Sequence, residues 1–392
     1  MRVWIHSCFD NLPHEGFRKQ RFWLMAEAFV RAGHEVVYWT GDFNHGTKAR
    51  RVFSSPPGAD GIEVRILPVM PYRRNVSLKR ALSHMAYARE WLARGLEAGA
   101  AARPDLIVAA CPTIGSAAAA LKLARRFSAK MALDIMDAWP ETFERLVPAP
   151  LGKLAHFALS PLRRKARRLY READLVSGVC LRYRELSGRS DYLLAYHGIE
   201  NALSRQDPPP ARSAGDGLRL VYAGNLGVGY DLSAVFAGME ILRKKGVKVS
   251  LAVAGNGPLE GKWRAIAPKS VEFLGYLPGE RLEKLLEECD AGIVPLKADS
   301  WVGLPYKLGD YAKANLKMLS CLDGECRGIL EETHAGAWYR PGDGESFAAA
   351  ALSLMPSLHD RRGVRELALR LDAATIYDGY VRAATALFAQ RA

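Results

Sequence analysis

No run of about 18 apolar residues occurs anywhere in this 392-residue chain, so no segment is expected to span a membrane. No Cys-x-x-Cys pair exists among the six cysteines at 8, 111, 180, 289, 321 and 326. Most lie in apolar strand or helix contexts, which suits reduced packing thiols in a cytoplasmic protein. The opening stretch, Met1 to His6, is a short strand followed by Asp10 and Asn11, too brief in its apolar part for a signal peptide. Neither His-Glu-x-x-His nor Gly-x-Ser-x-Gly occurs, which excludes zinc-protease and serine-esterase readings. Asp-x-Asp is absent too, and no metal site is expected. His6, His34, His84, His156 and His359 are scattered and read as structural or solvated.

What the chain has in excess is positive charge: 55 Lys and Arg against 42 Asp and Glu, a formal +13 and a pI near 9.5. Such a balance favours an anionic partner, whether nucleic acid, acidic lipid or a phosphorylated substrate. Arg163, Arg164, Lys165, Arg167, Arg168 and Arg171 fall within nine residues, with Leu162, Ala166, Leu169 and Ala173 at helical spacing among them. Ser160 is placed to cap this helix and Pro161 to occupy its first turn. One reading is a core-facing helix with a solvated basic face; the other is a surface resting on anionic headgroups. A nucleic-acid binder would interleave aromatics with its basic surface or carry a known module, and neither is present.

The length suits two domains, and 49% apolar content is enough for both to be globular. Strands are expected at 2–6, 35–39, 62–67, 105–110, 130–135, 175–179 and 192–196, alternating with helices near 19–32, 77–99, 115–127 and 161–173. This alternation argues for a parallel sheet covered on both faces. Residues 201–217 include Pro208-Pro209-Pro210 and have no apolar period, so they read as a linker between domains at 1–200 and 218–370.

Beyond the linker, strands repeatedly run into glycine-bearing loops. Leu218 to Ala223 leads into Gly224-Asn225-Leu226-Gly227-Val228-Gly229; Val249 to Ala254 into Gly255-Asn256-Gly257-Pro258; Val271 to Leu274 into Gly275-Tyr276-Leu277-Pro278. Gly292 to Leu296 is followed by Pro305-Tyr306-Lys307-Leu308-Gly309-Asp310-Tyr311 at a helix start. Loops at the carboxyl edge of a parallel sheet are where open α/β sheets bind ligands. Glycines let the backbone approach a phosphate, and helix N-termini offer N–H groups to it. Lys307 and Asp310 share one helical face. Lysine suits a diphosphate, and a carboxylate suits paired ribose hydroxyls; an ordinary helix ion pair is the plainer alternative. Gly255 to Lys262 is not a phosphate loop of the ATPase kind, because Asn256 stands in place of a glycine and Trp263 follows the lysine.

The turn Tyr222 to Gly227, the loop Gly255 to Pro258, the strand end Phe273 to Pro278 and the helix start Pro305 to Tyr311 resemble those of family 4 glycosyltransferases of the GT-B fold. The similarity is to bacterial enzymes that build cell-surface polysaccharides. It extends to the first half through Asp134-Ile135-Met136-Asp137-Ala138-Trp139-Pro140-Glu141, Gly16 and Gly33-His34-Glu35-Val36. The resemblance implies two Rossmann-like domains facing each other across a cleft, with a last helix at 374–390 crossing back to the first. It implies a retaining, metal-independent transferase without cofactor, whose donor is a nucleotide-diphosphate sugar, UDP type favoured. Gly16, Gly224, Asn225, Gly257, Tyr276, Leu277, Lys307 and Asp310 would hold the donor, and Asp137 would be catalytic. Many relatives carry a second glutamate eight positions before the first; here that place is Val302, which leaves the donor sugar open. The expected partners are a lipid-linked or saccharide acceptor and an anionic membrane surface at the inner face. A nucleotide-sugar 2-epimerase of the same fold is the alternative; a two-lobed sugar-binding protein would normally carry an export signal.

Overall fold

The computed structural model describes the chain apart from residues 17, 54–57, 60, 145–151, 205–216, 301 and 390–392. Most of the expected linker lies outside the described residues. The chain divides into two compact units, Met1–Tyr196 with Ala374–Ala392, and His197–Ala373.

The first unit opens with β1 (Arg2–His6), α1 (Arg21–Arg31) and β2 (Glu35–Gly41). A small hairpin of β3 (Phe43–Asn44) and β4 (Ala49–Arg50), and a short strand β5 (Gly58–Ala59), precede β6 (Ile62–Leu67). Next come α2 (Leu78–Ala101), β7 (Leu106–Cys111), α3 (Ile114–Phe127), β8 (Lys130–Ile135) and α4 (Glu141–Glu144). The unit continues through α5 (Gly152–Ala158), α6 (Ser160–Glu172), β9 (Leu175–Gly178), α7 (Arg182–Ser187) and β10 (Leu193–Leu194). The sheet order is β10-β9-β8-β7-β1-β2-β6-β5, parallel except where β5 meets β6. Every residue of β7 is buried, as expected of a central strand covered on both faces. The strand expected at 192–196 shrinks to two residues at the sheet edge. Ser160 is not a cap: α5 runs almost directly into α6, so Leu159 precedes the helix and Ser160 is already inside it.

In the second unit β11 (Leu218–Ala223), α8 (Ser233–Lys244), β12 (Val249–Ala254), α9 (Glu260–Ile266) and β13 (Val271–Gly275) build outward from the centre. After α10 (Gly279–Glu287) the chain returns beside β11 with β14 (Ala291–Val294). It then adds α11 (Tyr306–Lys313), β15 (Lys317–Ser320), α12 (Glu325–Thr333), β16 (Gly336–Trp338), α13 (Gly344–Leu354) and α14 (Arg362–Arg370). The order β13-β12-β11-β14-β15-β16 is wholly parallel and reverses between β11 and β14, the position at which doubly wound sheets open a crevice.

The last helix, α15 (Ala373–Ala389), packs on the first unit. Tyr377, Tyr380, Val381 and Ala384 recur at helical spacing and are buried. Asp378 pairs with Arg31 at 2.8 Å, Tyr380 meets Phe29 edge-on, and Tyr377 lies 5.7 Å from the Arg21 guanidinium.

Candidate active site

At the carboxyl edge of the second sheet, α11 is fastened to the two strands that flank the crevice. The Tyr311 hydroxyl accepts from the Ala223 amide at 3.0 Å and lies 3.3 Å from the Ile293 carbonyl. Gly292 makes room for the ring, since a Cβ there would stand 2.4 Å from it. One turn earlier, Lys307 extends over the Tyr222 and Tyr230 rings, 4.3 and 4.6 Å from their centroids, and donates to the Ala223 carbonyl at 2.7 Å. Burial pushes the Tyr222, Tyr230 and Tyr311 phenols up, so all three stay neutral. Lys307 thereby places a cation where β11 ends, and Asp310 follows it on the same helix, half-buried.

The glycines here serve the protein's own packing. A Cβ on Gly224 would stand 1.9 Å from the Lys307 nitrogen, and one on Gly255 1.9 Å from the Gly224 carbonyl oxygen. At Gly257 it would meet Leu226 backbone at 2.5 Å and the Asn225 side chain at 2.6 Å. The loops are laced by amide bonds from Gly224 to Ala254, Leu226 to Asn256 and Gly255 to Gly275, at 2.7–3.0 Å. Asn225 and Tyr276 are exposed on this edge, and Leu277 is half-buried.

The first unit has a corresponding edge. Of its two candidate aspartates, Asp134 is fully buried, clamped by Arg21 at 2.7 and 2.8 Å and by the Ser177 hydroxyl at 2.6 Å; it is a core anchor. Asp137 lies just beyond β8 and accepts from Trp139 Nε1 at 3.1 Å and Thr142 Oγ1 at 3.0 Å. Burial raises its carboxyl above the usual range, and these two bonds with the Arg80 charge partly offset that. Glu141 is drawn to Arg163 at 3.3 Å. In the preceding loop Asp10 accepts from the Phe22 amide, and Glu15 pairs with Arg51. Gly16 ends a short helical turn with φ 77°, and a Cβ there would meet nothing within 4 Å.

Around Asp137, sequence reasoning passed over Arg80, Phe9 and Tyr72 and read His84 as structural or solvated. Arg80, on the inner face of α2, lies 5.6, 5.7 and 5.3 Å from the centroids of Phe9, Tyr72 and Trp139. His84 stands one turn on, among Phe9, Tyr72 and Trp139. The available signal was Arg80, His84, Tyr87 and Trp91 recurring along one helical face, an unusual composition for a core stripe.

On α6 the basic residues divide. Arg163 is buried, held by Glu141 and Glu144, and is not part of a basic surface. Arg168 pairs with Glu172 at 2.7 Å. Arg164, Lys165, Arg167 and Arg171 are exposed and form no ion pair among the described residues. Leu154 and Phe157 on α5 and Leu162 on α6 are also exposed, Phe157 to 76%.

Family models match both halves of the chain: a glycosyl transferase 4-like domain at residues 19–192, and glycosyl transferases group 1 at residues 217–357. The chain is a glycosyltransferase. Solved structures with the same fold support this glycosyltransferase's GT-B architecture. Sucrose-phosphate synthase from Thermosynechococcus elongatus superposes with a TM-score of 0.68 at 14% identity, over 99% of each chain. Anabaena HepE, solved with UDP-glucose, gives 0.66 at 13% identity, over 98% of this chain and 100% of its own. The lipopolysaccharide outer core galactosyltransferase WaaB gives 0.64 at 14% identity, over 98% of this chain and 99% of its own. No curated protein sequence matches this glycosyltransferase significantly.

Proposed function

We propose that this glycosyltransferase is a retaining, metal-independent member of family 4. It would move a sugar from a UDP-type nucleotide sugar to a lipid-linked acceptor in surface polysaccharide or glycolipid synthesis. The observation that carries the donor side is Lys307, a cation laid across the end of β11 at the sheet's point of reversal. There it offsets the charge that grows on the departing diphosphate, helped by the α11 N-terminus. Asp310 accepts from the ribose hydroxyls, while Gly224, Asn225, Gly257, Tyr276 and Leu277 supply the surrounding edge. The complex of HepE with UDP-glucose supports the choice of base.

In the transfer step the anomeric C–O bond to the diphosphate breaks and its electron pair leaves with the phosphate. The acceptor oxygen bonds to the same face, and its proton passes to the leaving phosphate oxygen. Asp137, held by Trp139 and Thr142, orients the acceptor hydroxyl. The absence of Asp-x-Asp supports independence from metal. The exposed Arg164, Lys165, Arg167 and Arg171 of α6, with exposed Leu154 and Phe157 on the preceding helix, support peripheral attachment to the inner membrane face, because anionic lipid attracts the charges while the apolar tips enter the interface.

The test is a panel of nucleotide sugars incubated with the protein in EDTA, with release of free nucleotide followed by mass spectrometry. One UDP-sugar should be hydrolysed slowly without acceptor and faster with it. No donor consumed in EDTA, but turnover restored by magnesium or manganese, would overturn the metal-independent assignment.

A further inference from the structure

Buried or half-buried cations in the first unit are, with two exceptions, matched to carboxylates. Arg21 has Asp134, Arg51 has Glu15, and Arg163 has Glu141 and Glu144. Arg80 and Lys48 have none: among the described residues neither forms an ion pair. Arg80 is half-buried, ringed by Phe9, Tyr72 and Trp139, with one donor on the Asn75 carbonyl at 2.7 Å. Lys48 reaches the same ring from the β3–β4 turn, its nitrogen 5.2 Å from the Tyr72 centroid and 3.2 Å from His45 Nδ1. The two cations repel each other, and Lys48 is held below its usual pKa by burial first and by Arg80 second.

The remaining groups do not supply the missing negative charge. Burial and the neighbouring cations push His45 down to about 4 and His84 to about 3, so both are neutral at pH 7. Tyr72 is raised to about 12 by burial and donates or accepts only as a neutral phenol. Asp137 is the carboxylate whose charge reaches Arg80, but it is engaged by Trp139 and Thr142. A cation left without a counter-ion in a partly dry place costs free energy unless a ligand brings the charge. Aromatic faces beside it suit the C–H face of a pyranose ring, and a guanidinium suits a planar or tetrahedral oxyanion.

We propose that the Phe9, Tyr72, Trp139, Arg80 and Lys48 cluster binds an acceptor sugar that carries an oxyanion, either its own carboxylate or a phosphate on its anomeric oxygen. The assignment rests on the first unit being the acceptor side; it adds the class of acceptor. The pyranose packs on the Trp139 and Phe9 rings, and its anion lies between Arg80 and Lys48.

The experiment is titration of the full chain, without donor, followed by tryptophan fluorescence and calorimetry. The ligands are methyl glucuronide, glucose 1-phosphate, methyl glucoside and inorganic phosphate. At least one charged sugar should bind tenfold or more tighter than methyl glucoside and than phosphate alone. Arg80→Gln should remove that preference while leaving the weak binding of methyl glucoside in place, and Lys48→Met should reduce it several-fold. Preference for the glucuronide identifies the sugar's own carboxylate; preference for glucose 1-phosphate identifies the anomeric phosphate. Equal affinity for neutral and charged sugars in the parent overturns the proposal, as does a preference that survives both substitutions, or phosphate alone binding as tightly as its sugar. Nucleotide affinity, read separately by calorimetry, tests the transferase mechanism; its loss would leave the sugar titrations interpretable.

Discussion

The Lys307 ammonium occupies the space that any side chain on residue 224 would need. The nitrogen would lie 1.9 Å from a Cβ there, and Gly224 also has φ 141°, a conformation that side chains rarely adopt. Gly224→Ala therefore displaces the cation and strains the turn together. The expected outcome is a loss of about 1–3 kcal/mol in stability of the second unit and at least about tenfold in nucleotide affinity. In Lys307→Ala the same Gly224 substitution should cost less, since the clash is gone. Additive effects in the double variant, measured by calorimetry and thermal unfolding, would separate the two residues.

Lys307→Ala and Asp310→Ala should each weaken nucleotide binding. One charge-assisted hydrogen bond is worth roughly 1.5–3 kcal/mol, or about tenfold to a hundredfold in affinity. Calorimetry with UDP gives the readout, and unchanged affinity in both variants would sink the donor-side roles.

Asp134→Ala should destabilise the first unit by about 3–5 kcal/mol, because it leaves Arg21 buried and charged without its partner. Nucleotide affinity in the second unit should be unaffected. A shift of less than about 1 kcal/mol in denaturant unfolding would contradict the anchoring role.

His6 is fully buried, stacked on Trp91 with ring centroids 3.9 Å apart, and neither ring nitrogen has a partner among the described residues. Burial lowers its pKa from 6.5 to about 3. The unfolded chain thus takes up a proton that the folded one refuses, so this stability is present above pH 6.5 and lost as pH falls toward 3. His45 and His84 act in the same direction, whereas Asp10, raised from 3.8 to about 6 by burial, loses stability as pH rises through that window. His6→Phe should flatten the fall in urea midpoint between pH 7 and pH 5. An unchanged slope would show that His6 is not a main source of acid sensitivity.

Reversing Arg164, Lys165, Arg167 and Arg171 to Glu should abolish sedimentation with vesicles rich in anionic lipid while sparing UDP binding. High salt should release the parent protein, since screening shortens the range of the attraction. Replacing the exposed Leu154 and Phe157 by Ser should weaken binding further at high salt. Vesicle binding that survives both sets would place the contact elsewhere.

Most of the fold was legible because parallel strands buried on both faces read as apolar runs, as in β7 and β8, and the helices between them keep a clear period. The β3–β4 hairpin was not, since two-residue pairings leave no periodic trace, and β10 keeps only two of the five residues expected of it. In the second unit the glycines and Lys307 were visible as loop chemistry, but their mutual fit depends on α11 lying against β11, a contact 84 residues apart in the chain. The Arg80 cluster was hidden for the same reason: its parts come from the loops after β1 and β8, the β3–β4 turn, the segment before α2, and α2 itself. Arg163 shows the opposite error, since charge density alone gives no sign that one of six basic residues turns inward to Glu141 and Glu144.

The path of α15 bears on how the protein is made. Residues 197–373 are an insertion within the first unit, whose helix α15 is translated only after the second unit. Until then Phe29 lacks Tyr380, and Arg31 lacks Asp378, so a nascent first half displays an apolar seam on α1 throughout synthesis of the second. Completion of the first unit therefore waits for synthesis of the second, and dividing the gene at residue 196 would leave its product without a wall.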